Sequence, residues 1–124
     1  MERELNIASA TITTTGSAGS ATGSGTVSCV PGELAFIARD YHASAPGATT
    51  DVTITQAAAP TAILTVTDSA TDAINCPSLT RVTTANVAIT DSSAPLYIHG
   101  PVSVAVAQCN ALTGAVVVTI GTWS

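Results

Sequence analysis

Two imidazoles, His42 and His99, and three thiols, Cys29, Cys76 and Cys109, are the side chains of this 124-residue chain best suited to proton transfer or nucleophilic attack near neutral pH. A hydrolytic triad would join one imidazole to Asp40 or Asp91 and to a hydroxyl such as Ser44 or Ser93. All three residue types are present, but no Gly-x-Ser-x-Gly elbow accompanies them. Triads are defined by geometry and common residues co-occur by chance, so no catalytic residue is assigned and an enzyme is not expected. Metal binding needs three or four convergent ligands. Asp51, Asp68 and Asp72 sit in turns and could offer oxygens to calcium, but the Asp-x-Asp-x-Asp-Gly loop is missing. No cysteine belongs to a Cys-x-x-Cys pair, and no histidine stands at ligand spacing from one. Three is an odd number, so at least one thiol is free or pairs between chains. The three read as small, mostly buried hydrophobes, reduced and unpaired. Neither metal nor cofactor is expected.

The charge inventory narrows the partners. There is no Lys; Arg3, Arg39 and Arg81 are the only basic residues, against eight acids, for a net charge of −5. Neutralising phosphates takes many Lys and Arg, so no nucleic-acid partner is expected. An anionic membrane surface is disfavoured for the same reason. No apolar run approaches the about 20 residues a spanning helix needs; the longest, Val102–Ala107 and Ala115–Val118, have strand length. The start, Met1-Glu2-Arg3-Glu4, has no apolar segment behind it and does not read as a secretory signal. Synthesis in a reducing cytoplasm is the expectation.

The elements that would position any site read as strands. Val, Ile and the 21 Thr favour extended backbone, and no window has a convincing 3.6-residue period. Residues 1–15 read as an extended N-terminal arm or first strand, carrying Leu5, Ile7 and Ile12. Residues 16–25, with four Gly and three Ser, read as a flexible loop. Residues 26–124 read as one β domain. Within it, Glu33–His42 is a central strand with Leu34, Phe36 and Ala38 on one face and Ala35, Ile37 and Arg39 on the other. Further strands fall at 51–56, 62–67, 74–76, 79–83, 86–90, 96–99, 102–107 and 114–122. Turns fall at Ala57–Pro60, Thr67–Asp72, Asp91–Pro95 and Gln108–Thr113. Strands every 8–12 residues or so indicate an all-β fold, a single β-sandwich or barrel of the jelly-roll or Greek-key kind, with about seven to nine strands.

Two stretches carry a resemblance. Gly32-Glu-Leu-Ala-Phe-Ile-Ala-Arg-Asp-Tyr-His-Ala-Ser-Ala-Pro-Gly-Ala-Thr-Thr-Asp-Val-Thr-Ile54 is a hydrophobic strand, a loop with Pro and Thr, and a second strand. Val102–Ile120 is a terminal hairpin with Ala-Gln-Cys-Asn-Ala-Leu-Thr-Gly at its bend. With the Thr-rich start, the order resembles the small all-β head decoration, or cement, proteins of tailed bacteriophages, from about Ile12 to Ile120. The resemblance implies a virion structural protein on the capsid exterior, made in the host cytoplasm. It also implies a homo-oligomer, a trimer by preference, that binds the major capsid protein and bridges its subunits. The absence of Lys departs from the group.

Contact residues follow from composition. Tyr, Trp and Arg are enriched at interfaces. Arg39, Tyr41 and His42 form the densest polar patch, with the alternative that Tyr41 is half buried and Arg39 and Asp40 are merely solvated. Tyr97 and His99 form a second patch. Trp123 must pack on its own domain or on a partner, and Leu5 and Ile7 lie in the arm. The competing function is a carbohydrate-binding or adhesive β-sandwich on a virion or cell surface. Sugar sites want exposed aromatic platforms, and with only four aromatic residues in the whole chain that reading is weak.

Overall fold

Alternation of Val and Ile with Thr, Ser and Ala produces strands with one apolar edge each, and these can be satisfied only by pairing sheets face to face. The computed structural model describes residues 3–44, 46–56, 59–82 and 84–124, without the side chains of 59–61, 80–82 and 89–92. Among these residues there are eleven strands and no helix. The strands are β1 (Leu5–Ile12), β2 (Ala21–Val27), β3 (Gly32–Tyr41), β4 (Asp51–Gln56), β5 (Ala59–Val66), β6 (Ala73–Asn75), β7 (Ser78–Val82), β8 (Ala88–Pro95), β9 (Tyr97–Ile98), β10 (Val102–Cys109) and β11 (Val116–Trp123). The five-stranded sheet runs β1-β11-β3-β6, with β9 beside the start of β3; the four-stranded sheet runs β2-β10-β4-β5. Every pairing is antiparallel. The terminal hairpin is split between the sheets: β11 fits between β1 and β3, and β10 between β2 and β4.

One core lies between the sheets. The five-stranded sheet contributes Ile12, Ile37, Val116, Val118 and Ile120, and the other Val27, Val52, Ile54, Val102, Val104 and Val106. All-β architecture is therefore as expected, with more strands than the seven to nine expected because the arm forms β1 and the second half of the Gly/Ser stretch opens β2.

Three local readings change. Residues 16–25 are a loop only as far as Ser20; Ala21–Gly25 belongs to β2. The glycines serve close packing: a Cβ on Gly23 would run into the Thr13 carbonyl, and one on Gly25 would sit 2.6 Å from Ile12 Cδ1. Residues 91–95 continue β8 instead of turning, because Ser93, Ala94 and Pro95 face Thr80, Leu79 and Ser78 across the ladder. The Ala57–Pro60 turn falls partly on Ala57 and Ala58, outside the described residues, and the strand has resumed by Ala59. Leu5–Ile12 is a first strand, paired along its length with β11.

The bend between β10 and β11 is organised by Thr14, which is almost fully buried. Its hydroxyl donates to the Asn110 carbonyl at 2.7 Å and accepts from the Leu112 N–H at 3.0 Å. Asn110 in turn accepts from the Gly19 N–H through its side chain, which ties the glycine-rich loop to the bend.

Candidate functional site

The central strand β3 is not a simple alternation. Its pairing with β11 slips between Gly121 and Thr122, leaving Ala35 as an extra residue. Before the bulge Leu34 faces the core; after it Ile37, Arg39 and Tyr41 do. This overturns the sequence reading that put Ile37 and Arg39 opposite Leu34 by strict alternation. Phe36 is thrown onto the outer face, where its ring lies against Gly121.

Arg39 and Tyr41 are consequently interior residues, each only 7% exposed, and not the surface patch their types suggested. The Arg39 guanidinium donates to the Tyr41 hydroxyl and to Asn75 Oδ1, both at 3.1 Å. Its Nε has no acceptor. Two neutral oxygens hold a buried charge, and the only ion pair among the described residues is elsewhere. Asp40 is exposed, as its position on the other face of β3 requires.

His42 also makes local contacts. Its Nδ1 accepts from the Ser44 backbone N–H at 2.9 Å, and its own N–H donates to Ala115. The Asp91 side chain lies outside the described residues. Asp51 caps the Asp68 N–H and Asp72 the Tyr41 N–H. These carboxylates brace loops, and among the described residues no three His, Cys, Asp or Glu converge. Of the thiols, Cys29 and Cys109 are buried and all three are free, but Cys76 is exposed, contrary to the expectation for it. It sits just past the short strand β6, on the open edge of the sheet. Burial pushes the Cys29 thiol above its usual value.

The other end of β3 assembles what the sequence left scattered. Leu5, Trp123, Glu33 and Tyr97 lie in one row across β1, β11, β3 and β9, on the outer face of the sheet. Arg3 spans the row: its guanidinium bonds Glu33 Oε2 at 2.9 Å and lies 5.3 Å from the centre of the Trp123 ring. The backbones of Glu4 and Ser124 exchange hydrogen bonds and hold Arg3 there. Tyr97, half exposed, is flanked by the His99 ring at 5.3 Å.

Gln56, which sequence reasoning passed over, fixes this corner from inside. It is buried on β4, donates to the Tyr97 carbonyl at 3.2 Å and accepts from the His99 N–H at 3.0 Å. Ile98, between them, is driven into the core, so Tyr97 and His99 must face out. The signal for it is a polar residue at an inward position of an alternating strand. The row borders an open concavity of about 590 Å³, walled by Pro31, Pro95 and Leu96 with Arg3, Glu33, Tyr97 and Trp123.

Thus Leu5, Tyr97, His99 and Trp123 come together and Ile7 lies one row along, whereas Arg39, Tyr41 and His42 stand six, eight and nine residues up the chain from Glu33, about 17 Å away or more by strand rise. Comparison with protein-family models, with curated proteins and with solved structures finds no match for this chain.

Proposed function

We propose that this chain is a virion structural protein, a decoration or cement protein that binds the outer surface of a tailed-phage head as a homo-oligomer and bridges major capsid subunits. Three copies is the stoichiometry the sequence resemblance implies. One observation carries the reading: among the described residues the β7–β8 hairpin forms a sheet of its own, paired with neither of the other two. Leu79 on it and Val87 in the segment joining its strands are half or more exposed. An isolated two-stranded hairpin is marginal in water. Docked on a neighbouring subunit, it would bury those side chains and reinforce its own ladder. Leu5 and Ile7 on edge strand β1 and Ile74 on β6 add exposed apolar surface to the same molecule. With only three Arg and no Lys in the chain, such contacts are mainly apolar and survive high salt, where the Debye length shrinks to about 3 Å at 1 M.

Binding only the assembled particle stabilises it by mass action. Purified protein should co-sediment with expanded, undecorated heads and raise their melting temperature. A Leu79→Ser, Val87→Ser double variant should remain folded and bind at least about tenfold more weakly. Equal melting of decorated and bare heads, or release by salt alone, rejects the reading.

A further inference from the structure

We propose that the concavity beside Trp123 and Tyr97 binds a neutral oligosaccharide, stacked on the two aromatic rings and hydrogen-bonded to the Arg3–Glu33 pair. This does not depend on the capsid reading. Three of the four aromatic residues of the chain lie on one outer face, and two of those line this single groove. Trp123 and Tyr97 flank Glu33 across adjacent strands, which sets them two strand spacings, about 10 Å, apart. That separation accommodates consecutive sugar rings lying across the strands. The volume, about 590 Å³, is in the usual range for small-molecule sites.

Charge selects the ligand class. The two charged side chains lining the groove, Arg3 and Glu33, pair with each other at 2.9 Å, so neither is left as a free charge for an ionic ligand, although the chain as a whole carries −5. Among the described residues the pair uses one guanidinium nitrogen and one carboxylate oxygen. Arg3 and Glu33 both line the groove, and that bond leaves Glu33 Oε1 and the other guanidinium N–H groups as acceptor and donors to offer a ligand. Vicinal hydroxyls match that array, since each both donates and accepts. A purely apolar ligand would desolvate the pair and return no hydrogen bonds. A polyproline segment would suit the aromatic and proline walls but has no N–H to offer Glu33. Sugar rings satisfy both halves of the site: apolar C–H faces for the rings, hydroxyls for the floor.

The site is also preformed, which lowers the ordering cost of binding. Gln56 locks the backbone on both sides of Ile98, His99 flanks the Tyr97 ring, and Arg3 covers one face of Trp123.

Trp123 is the only tryptophan, so its fluorescence reports on this groove alone. The full chain is titrated with cellohexaose, maltohexaose and N-acetylchitohexaose, with decaproline in parallel. A saturable spectral change is expected with at least one hexasaccharide and none with decaproline. Tyr97→Ala and Glu33→Gln should each weaken it at least about tenfold, with circular dichroism unchanged, whereas Thr53→Ala on the opposite sheet should leave it intact. No saturable response to any of the sugars overturns the proposal. So does a response to decaproline alone, or a sugar response that Tyr97→Ala leaves untouched. Capsid co-sedimentation is read separately, so loss of one activity is distinguishable from loss of the other.

Discussion

The two sheets present alike inner faces and unlike outer ones. Inward, both are mainly Val and Ile at essentially full burial. Outward, the four-stranded sheet is a grid of small polar side chains: Ser24, Ala105, Thr53 and Thr65 form one row, and Thr26, Ser103, Thr55 and Ala62 the next. None of the described large apolar residues left exposed belongs to its strands. The five-stranded sheet instead shows Leu5, Ile7, Ile74 and Tyr97 to solvent, with Trp123 and Phe36 among them. Folding requires the inner faces. It requires nothing of the kind from the outer ones, and the Thr grid shows that this chain can build an outer face with no large apolar side chain exposed among the described residues. An apolar outer face with an aromatic groove is what both proposals above build on.

The largest expected effects test whether the inner faces are equivalent. Ile120→Ala on one sheet and Ile54→Ala on the other should each cost about 2–5 kcal/mol in denaturant unfolding. A loss confined to one sheet would mean that the two do not share a core. Gly121→Val should cost about 1–3 kcal/mol, because its side chain would enter the space of the Phe36 ring; no cost would show that the outer ring is not packed as described.

Arg39 sharpens the comparison from within. Arg39→Ala should cost about 2–4 kcal/mol, since it strands the Tyr41 hydroxyl and Asn75 and opens a cavity. Arg39→Met should cost no more than about 1 kcal/mol, because removing a buried charge without a carboxylate partner offsets the lost bonds. Equal losses for the two would mean that the charge itself is stabilising.

On the outer faces, Thr53→Lys and Ile7→Lys should both stay within about 0.5 kcal/mol for the isolated chain. Only Ile7→Lys should weaken binding to capsids; the reverse pattern would exchange the roles of the two faces. The smallest effect concerns Cys29. Its folded thiol keeps a proton that the unfolded thiol loses near the usual 9.0. Stability should therefore be intact below that pH and decline as pH rises past it, and Cys29→Ala should remove the decline. In iodoacetamide labelling of the native protein, Cys76 should react first and Cys29 and Cys109 only on unfolding.

Alternation of apolar and small polar residues determined, by itself, that the chain is all-β and where most strands lie. The period of two is written in residues such as Val102, Val104 and Val106, and a strand needs little else. The pairing of Tyr97, Glu33, Trp123 and Arg3 was not legible, because they are 26 to 120 residues apart in sequence and become neighbours only through strand order. Side-chain direction along β3 was equally hidden. A single extra residue at Ala35, permitted by the pairing with β11, reverses every position after it and moves Arg39 and Tyr41 from surface to core. Local propensity specifies extended backbone; which face each residue takes is decided by register, and register is a property of the neighbouring strand.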